Sequence, residues 1–298
     1  VQEAPIINEL IYEGIKATKI KEALNKIVSL KSRSSFNDFL VSNDRKLIKE
    51  YLKNIGYYFS EITTTIENLD NNLVNVIHNI DTGNKAKIKK ISFIGNKVFK
   101  DNKLRSLILS EEYKFWKFIS GRKFLNENII KLDNRLLRNF YLNKGYHDVE
   151  INSSFAKIVK DNEFELIYNI NANDKFFFDN IELEILDDFN KDNFVKVFKY
   201  FEDLKGKPYS INKISKIINL IEEIALSEQF ASIRVGTIED IVANKINLKF
   251  KIEETEKFYV EKINILGNNI TQENVIRNQL EIDEGDPYNE ILYNKSVN

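Results

Sequence analysis

The chain has 298 residues, 44 basic against 45 acidic side chains and a net charge of −1, so no global field draws it to nucleic acid or to an anionic membrane surface. Its 10 glycines, 3 prolines, 2 histidines and absence of cysteine exclude a disulfide framework, a thiolate nucleophile and a zinc ribbon. Hydrophobic residues at 43 % and charged residues at 30 % are a globular composition, and the length predicts roughly two to three domains.

Residues 1–5 show no basic segment leading into an apolar one, as a signal peptide would, and the start at Val reads as a mature or cut chain. Apolar runs such as residues 217–220 fall far short of the roughly 18 that a membrane span needs. Residues 10–14 (LIYEG) alternate apolar and other side chains and stop at a glycine, which predicts a half-buried strand ending in a turn. A helix is expected from Thr18, a residue suited to an N-cap. After residues 33–36 (RSSF) a second helix runs to Gly56, where the left-handed position beyond a helix C-terminus disfavours any Cβ. Asp70, Asn71 and Asn72 are turn formers, and Val74, Val76, His78 and Ile80 then alternate as a strand.

The same order returns. Residues 91–95 (ISFIG) predict a strand, Asp101 a helix start and residues 121–124 (GRKF) a turn before an aromatic anchor. Ile129, Leu132, Leu136, Leu137 and Phe140 have helical spacing, and Gly145 closes that helix. Phe164, Leu166, Tyr168 and Ile170 alternate as the closing strand. In the third copy residues 181–185 (IELEI) lack the glycine, Asn190 is the expected cap, and Phe194, Val197, Phe198 and Phe201 form the apolar face of the first helix. Residues 206–209 (GKPY) are its turn, Gln229 and Phe230 stand where Gly-Tyr stood before, and Ile246, Leu248, Phe250 and Ile252 close it. A fourth copy begins with residues 263–267 (INILG), Thr271 and residues 285–288 (GDPY). Its second helix would run past residue 298, so this copy is expected to be incomplete.

The steps from Ile80 to Ile91, Ile170 to Ile181 and Ile252 to Ile263 are each 11 residues, which predicts a rigid tandem rather than beads on flexible linkers. The unit reads strand–helix–helix–strand–strand. That is an α+β module with two helices packed on a three-stranded mixed sheet, the closing strand in the centre. The expected boundaries are 1–85, 86–174, 175–256 and 257–298.

This order of motifs resembles the POTRA (polypeptide-transport-associated) domain. The resemblance is carried by residues 93–96 (FIGN) and 265–268 (ILGN), by the Gly-x-Pro-Tyr turn and by residues 141–146 (YLNKGY). Residues 115–124 (FWKFISGRKF), which hold the only Trp, resemble the aromatic insertion and turn in the third POTRA domain of outer-membrane protein assembly factors. On that match the four segments are the second, third and fourth modules and the first half of the fifth. The resemblance implies a periplasmic scaffold at the outer membrane, in a parent protein integral to that membrane. It would bind unfolded outer-membrane proteins by β-augmentation, recruit assembly-machinery lipoproteins and work with its own C-terminal β-barrel, which lies outside this chain. It implies no nucleic acid, small-molecule substrate, cofactor, metal or catalytic residue. Other readings are the POTRA region of a TamA-like or two-partner secretion transporter, or a KH-like nucleic-acid-binding array. The last needs a Gly-x-x-Gly loop, and none of the ten glycines has another three residues on.

Residues 148–155 (DVEINSSF) are mixed and polar, as expected of an edge strand, which presents unpaired N–H and C=O groups. Val149, Ile151, Ser153 and Phe155 are the candidate client-binding edge; the other reading places them in the core or at a joint. Phe115 and Trp116 are either a partner anchor or the cover of a joint. His78 is expected as a packed core residue, His147 as solvated, and Lys85, Lys87, Lys89 and Lys90 as a charged, solvated linker. There is no P-loop, G-x-S-x-G or dinucleotide fingerprint, so no enzyme is expected.

Overall fold

The computed structural model of the chain describes residues 4–114, 121–157, 162–185, 190–227, 233–254, 258–268, 271–288 and 290–297. The chain forms two compact units, Val1–Arg138 with Val149–Ala172, and Asn139–Asp148 with Asn173–Asn298.

The first unit holds two sheets of one design. The first is built from β1 (Ile6–Glu13), α1 (Thr18–Ile27), α2 (Asp38–Asn54), β2 (Glu61–Leu69) and β3 (Leu73–Asp81). The second repeats it with β4 (Lys87–Ile94), α3 (Asp101–Arg105), α4 (Glu127–Leu142, of which residues 139–142 belong to the second unit), β5 (Glu150–Lys157) and β6 (Glu163–Asn171). The sheet orders are β1-β3-β2 and β4-β6-β5. In each, the opening strand pairs parallel with the central one and the hairpin strand pairs antiparallel, giving the expected mixed sheet.

Local chemistry explains these elements. Val74, Val76, His78 and Ile80 on β3, and Phe164, Leu166, Tyr168 and Ile170 on β6, are all buried, because alternate residues of a strand share one face. The β2–β3 hairpin turns through Asn71 and Asn72 at φ of 61° and 55°, the pair of positive values that matches the twist of the flanking strands. Asn37 starts α2 by accepting from the Phe39 N–H at 2.8 Å. That helix buries Val41, Asp44, Ile48 and Leu52 and ends at Gly56, with φ of +98°. Gly145 ends α4 at the same φ.

Several local expectations are corrected. The buried stripe of α4 is Ile130, Asp133, Leu137 and Tyr141; of the apolar residues read from spacing only Leu137 is fully covered, because an aspartate holds the centre of the face. Of the four expected helix caps only Asn190 acts as one, accepting from the Asp192 N–H at 3.0 Å. Thr18 and Asp101 are instead the first helical residues.

The second unit holds a third sheet, from β7 (Phe177–Glu184), α5 (Val195–Leu204), α6 (Ile211–Ser227), β8 (Ile233–Val242) and β9 (Lys245–Glu254), in the order β7-β9-β8. Its core gathers Phe194, Val197, Phe201, Leu204, Ile217, Ile221 and Phe250. Each such side chain contributes about 2 kcal/mol on burial. Phe198, expected on that face, is 38 % exposed. The same unit contains α7 (Glu273–Arg277) and α8 (Glu290–Val297), with Tyr259 bridging to Pro287. Residues 263–267, expected as a strand, form no ladder among the described residues. Alternation marks which face a strand would bury, but a strand also needs a neighbour, and no described strand lies beside them. Among the described residues no helix is long and apolar enough to cross a membrane.

Candidate functional site

β5 lies at one edge of the second sheet. It pairs with β6 from Glu150↔Asn171 to Lys157↔Phe164, and no described strand or loop pairs with its other side. Val149, the residue before β5, is buried in the core, and its carbonyl accepts from Arg138 Nη1 at 2.9 Å. Ile151 is half-buried. Ser153 Oγ accepts from Asn134 Nδ2 of α4 at 3.0 Å. The Phe155 ring meets Tyr58 edge-on at 4.9 Å and Phe164 at 5.9 Å. Glu150, Asn152 and Ser154 are exposed on the other face. The four candidate side chains thus turn inward and anchor the strand. What the open edge offers is its main chain.

Phe155 belongs to a four-ring cluster with Tyr58, Phe59 and Phe164, in which Phe59 stacks on Phe164 at 5.1 Å. Burial pushes the Tyr58 hydroxyl pKa up, with Glu127 adding to the shift. Beside the cluster the Gly56 carbonyl accepts from the Ala86 N–H at 2.9 Å, and Asn126 Nδ2 donates to the Asn54 carbonyl. Of the lysines read as a solvated linker, Lys89 and Lys90 are exposed as expected, while Lys85 and Lys87 are half-buried over aromatic rings. Lys85 Nζ lies 5.1 Å from the Tyr57 and Phe124 ring centres, and Lys87 Nζ lies 4.8 Å from that of Tyr113. Lys89 and Lys90 pair with Glu163 and Glu165 at 3.6 and 2.9 Å. Lys90 and Ser92 hold the Glu165 carboxyl below the usual carboxylate range.

The opposite edge, β4, is occupied. Arg105 Nη2 donates to the Ile91 carbonyl at 2.9 Å, the Ile91 N–H donates to Glu112 Oε1 at 3.1 Å, and Arg105 Nη1 meets Glu112 Oε1 at 2.5 Å. The Tyr113 N–H donates to the Ile88 carbonyl at 2.6 Å. Neither Arg105 nor Glu112 stood out in the sequence reading. The signal that could have found them is repetition: Arg277 and Glu284 have the same spacing of seven, and Arg277 follows Ile263 by 14 residues as Arg105 follows Ile91. Arg277 Nη2 donates to the Ile263 carbonyl at 2.9 Å, and the Ile263 N–H donates to Glu284 at 2.9 Å. That N–H, with Arg277, holds the Glu284 carboxyl below its ordinary range.

His147, expected as solvated, is packed instead. It meets Asp148 at 2.6 Å and Glu239 at 3.1 Å, and its ring lies 5.5 and 5.0 Å from Phe176 and Tyr209. Phe115 and Trp116 lie outside the described residues, as do Gln229 and Phe230. Among the described residues no group of three or more His, Asp or Glu side chains is arranged to hold a metal.

A family model described as "POTRA: Surface antigen variable number repeat" matches residues 5–83, 86–173 and 258–298. The chain is 25 % identical over 298 residues to the outer membrane protein assembly factor BamA of Buchnera aphidicola, covering 97 % of this chain and 47 % of that protein. It is 27 % identical over 294 residues to BamA of Neisseria meningitidis serogroup B, covering 97 % of this chain and 36 % of that one. The chain thus spans less than half the length of these relatives. Among solved structures, the crystal structure of Haemophilus influenzae BamA POTRA3-5 matches with a TM-score of 0.49 and 15 % identity, over 85 % of this chain and 97 % of that one.

Proposed function

The chain belongs to the POTRA family, and from that premise we propose that it is a strand-receiving scaffold in outer-membrane protein assembly. In this reading its segments, 1–85, 86–174, 175–256 and 257–298, are the second, third and fourth modules and the first half of the fifth of a longer parent. They stand on the periplasmic side of the outer membrane, next to the parent's own C-terminal β-barrel. They hold unfolded outer-membrane proteins by β-augmentation and recruit partner lipoproteins for barrel insertion. No catalysis is involved.

The observation that supports this most is the open side of β5. Its alternate side chains are held inward by Asn134, Tyr58 and the core, so the strand keeps a fixed, extended edge. Unpaired main-chain groups on such an edge pair with an incoming strand of almost any sequence, which suits a receiver of many unrelated clients. The strand is eight residues long, enough for a full ladder with one client strand.

The test is a titration of the whole chain with a fluorescent eight-residue peptide of alternating Val and Thr. Two prolines are placed in β5 at alternate positions, in the register whose N–H groups face away from β6. Each removes one donor from the new ladder and none from the old, so affinity is expected to fall about tenfold or more. Unchanged affinity with an unchanged circular dichroism spectrum would remove β5 as the receiving edge.

A further inference from the structure

We infer that Arg105 and Glu112 form a lock on the β4 edge that confines strand addition in the second repeat to β5. The inference rests on the strand-receiving reading above. An edge strand offers its outward N–H and C=O groups to any chain that comes alongside. On β4 both groups of Ile91 are taken, the carbonyl by Arg105 and the N–H by Glu112. The Ile88 carbonyl is taken by the Tyr113 N–H, and Lys87 forms an antiparallel bridge with Phe124. The guanidinium and the carboxylate also bind each other, at 2.5 Å. Charge-assisted bonds of this kind are short and strong, so an incoming strand must displace two of them before it can pair at Ile91.

The arrangement recurs around Ile263, with Arg277 and Glu284 in the same roles and an Arg–Glu distance of 3.1 Å. Both arginines are the last residue of a five-residue helix, α3 and α7. In the first and third repeats the corresponding helices, α1 and α5, have 10 residues, and among the described residues no Arg–Glu pair reaches β1 or β7. The short first helix therefore goes with a side-chain lock and the long one does not. Two copies with the same spacing, the same helix position and the same two bonds make the pair a built feature rather than a chance surface ion pair. The Arg105 and Glu112 side chains are 38 % and 30 % exposed, so the lock is accessible from solvent and can be opened without unpacking a core.

The experiment places a photoreactive residue in the whole chain at Lys89, exposed on β4, or at Asn152, exposed on β5, and adds the alternating Val–Thr peptide. In the unmodified background, cross-links are expected from position 152 and not from position 89. Arg105→Gln and, separately, Glu112→Ala are expected to raise the yield at 89 about tenfold while 152 is unchanged, since each removes one charge-assisted bond to Ile91 and the bond between the two side chains. Two separate substitutions keep the test usable if one of them unfolds the repeat, which circular dichroism reports. Cross-links at 89 before either substitution, or silence at 89 after the substitution that folds, overturn the lock. Silence at 152 together with new cross-links at 89 leaves the lock standing and overturns the β5 reading, so the two can fail separately.

Discussion

The first and second sheets carry different rings at the same place on the central strand. In the second, Tyr168 stacks on Phe93 at 5.5 Å, and its hydroxyl donates to Asp133 Oδ2 at 2.7 Å. The same carboxylate accepts from the N–H groups of Leu109 and Ser110 at 2.6 and 3.2 Å. Every polar group named there has a partner. In the first, His78 stacks on Tyr12 at 5.8 Å, and its Nδ1 lies 2.9 Å from Thr64 Oγ1. Its Nε2 and the Tyr12 hydroxyl are buried without a hydrogen-bond partner. Asp44 accepts from the N–H groups of Ser29 and Leu30 at 2.6 and 2.9 Å. The third sheet drops the polar solution: Phe250 stacks on Phe201 at 5.7 Å, and Ile217 stands on α6, with no buried carboxylate beside it among the described residues. The difference follows from the connection between the helices. In the first two repeats a long segment separates them and brings orphan N–H groups inside, and the buried aspartate satisfies them. In the third, α5 and α6 are joined by residues 205–210, and the N–H groups of Lys205, Gly206, Lys207 and Tyr209 are taken by backbone carbonyls.

Removing the aspartates breaks this comparison most directly. Asp133→Ala strands three donors, two backbone N–H groups and the Tyr168 hydroxyl, and is expected to cost about 4 kcal/mol. Asp44→Ala strands two and is expected to cost about 2.5 kcal/mol. Urea unfolding of the whole chain, followed by tryptophan-independent circular dichroism, measures both. Equal losses would mean that Tyr168 adds nothing to the network.

Acid sharpens the same contrast. Burial lowers the His78 pKa, Arg45 adds to that, and Asp44 opposes it. The folded state therefore binds the proton less readily than the unfolded chain, whose histidine titrates at about 6.5. Stability is full above that value and declines as pH falls below it towards the folded pKa, with a slope of at most about 1.4 kcal/mol per pH unit. Between pH 7.5 and 5.5 the first repeat is expected to lose about 1 kcal/mol, and His78→Phe is expected to flatten that decline. Burial pushes the Tyr12 and Tyr168 hydroxyls upward, so neither contributes in this window. Thermal melts at the two pH values decide it; a decline that survives His78→Phe belongs to another group.

What the sequence made legible, and what it hid, divides along the same lines. Alternation placed Val74 to Ile80 and Phe164 to Ile170 on the central strands, because a buried face needs apolar residues at every second position whatever surrounds it. The glycine at 56 and the Asn-Asn turn were readable because few side chains accept positive φ. Asp44 and Asp133 were not. A carboxylate on a helix normally faces water, and its burial here depends on loop N–H groups that no pattern of side chains reveals. Arg105 and Glu112 were hidden for a similar reason, since they act on the main chain of a strand far away in sequence. Of the candidate edge, the strand was legible, but the inward anchoring of Phe155 by Tyr58 depends on how two repeats meet.

That meeting gives the smallest expected effect. After Gly56 the chain continues Tyr57, Tyr58, Phe59, and after Gly145 it continues Tyr146, His147, Asp148. The first stretch makes ring contacts alone, whereas the second adds polar contacts of His147 with Asp148 and Glu239 to its ring contacts with Phe176 and Tyr209. Phe59 is 49 % exposed, and its ring centre lies 5.1 Å from Phe164, 5.3 Å from Tyr58 and 6.5 Å from Phe155. An aromatic pair is worth about 1 kcal/mol beyond its area, and half of this ring's area never leaves water. Phe59→Ala is therefore expected to cost about 1 kcal/mol in urea unfolding, with no change between low and high salt. Because Phe155 keeps its contact with Tyr58 at 4.9 Å, peptide affinity at β5 is expected to stay within about twofold. A loss above about 3 kcal/mol would place Phe59 among the core residues, whose truncation leaves a cavity, rather than on a clip laid over the end of the second sheet.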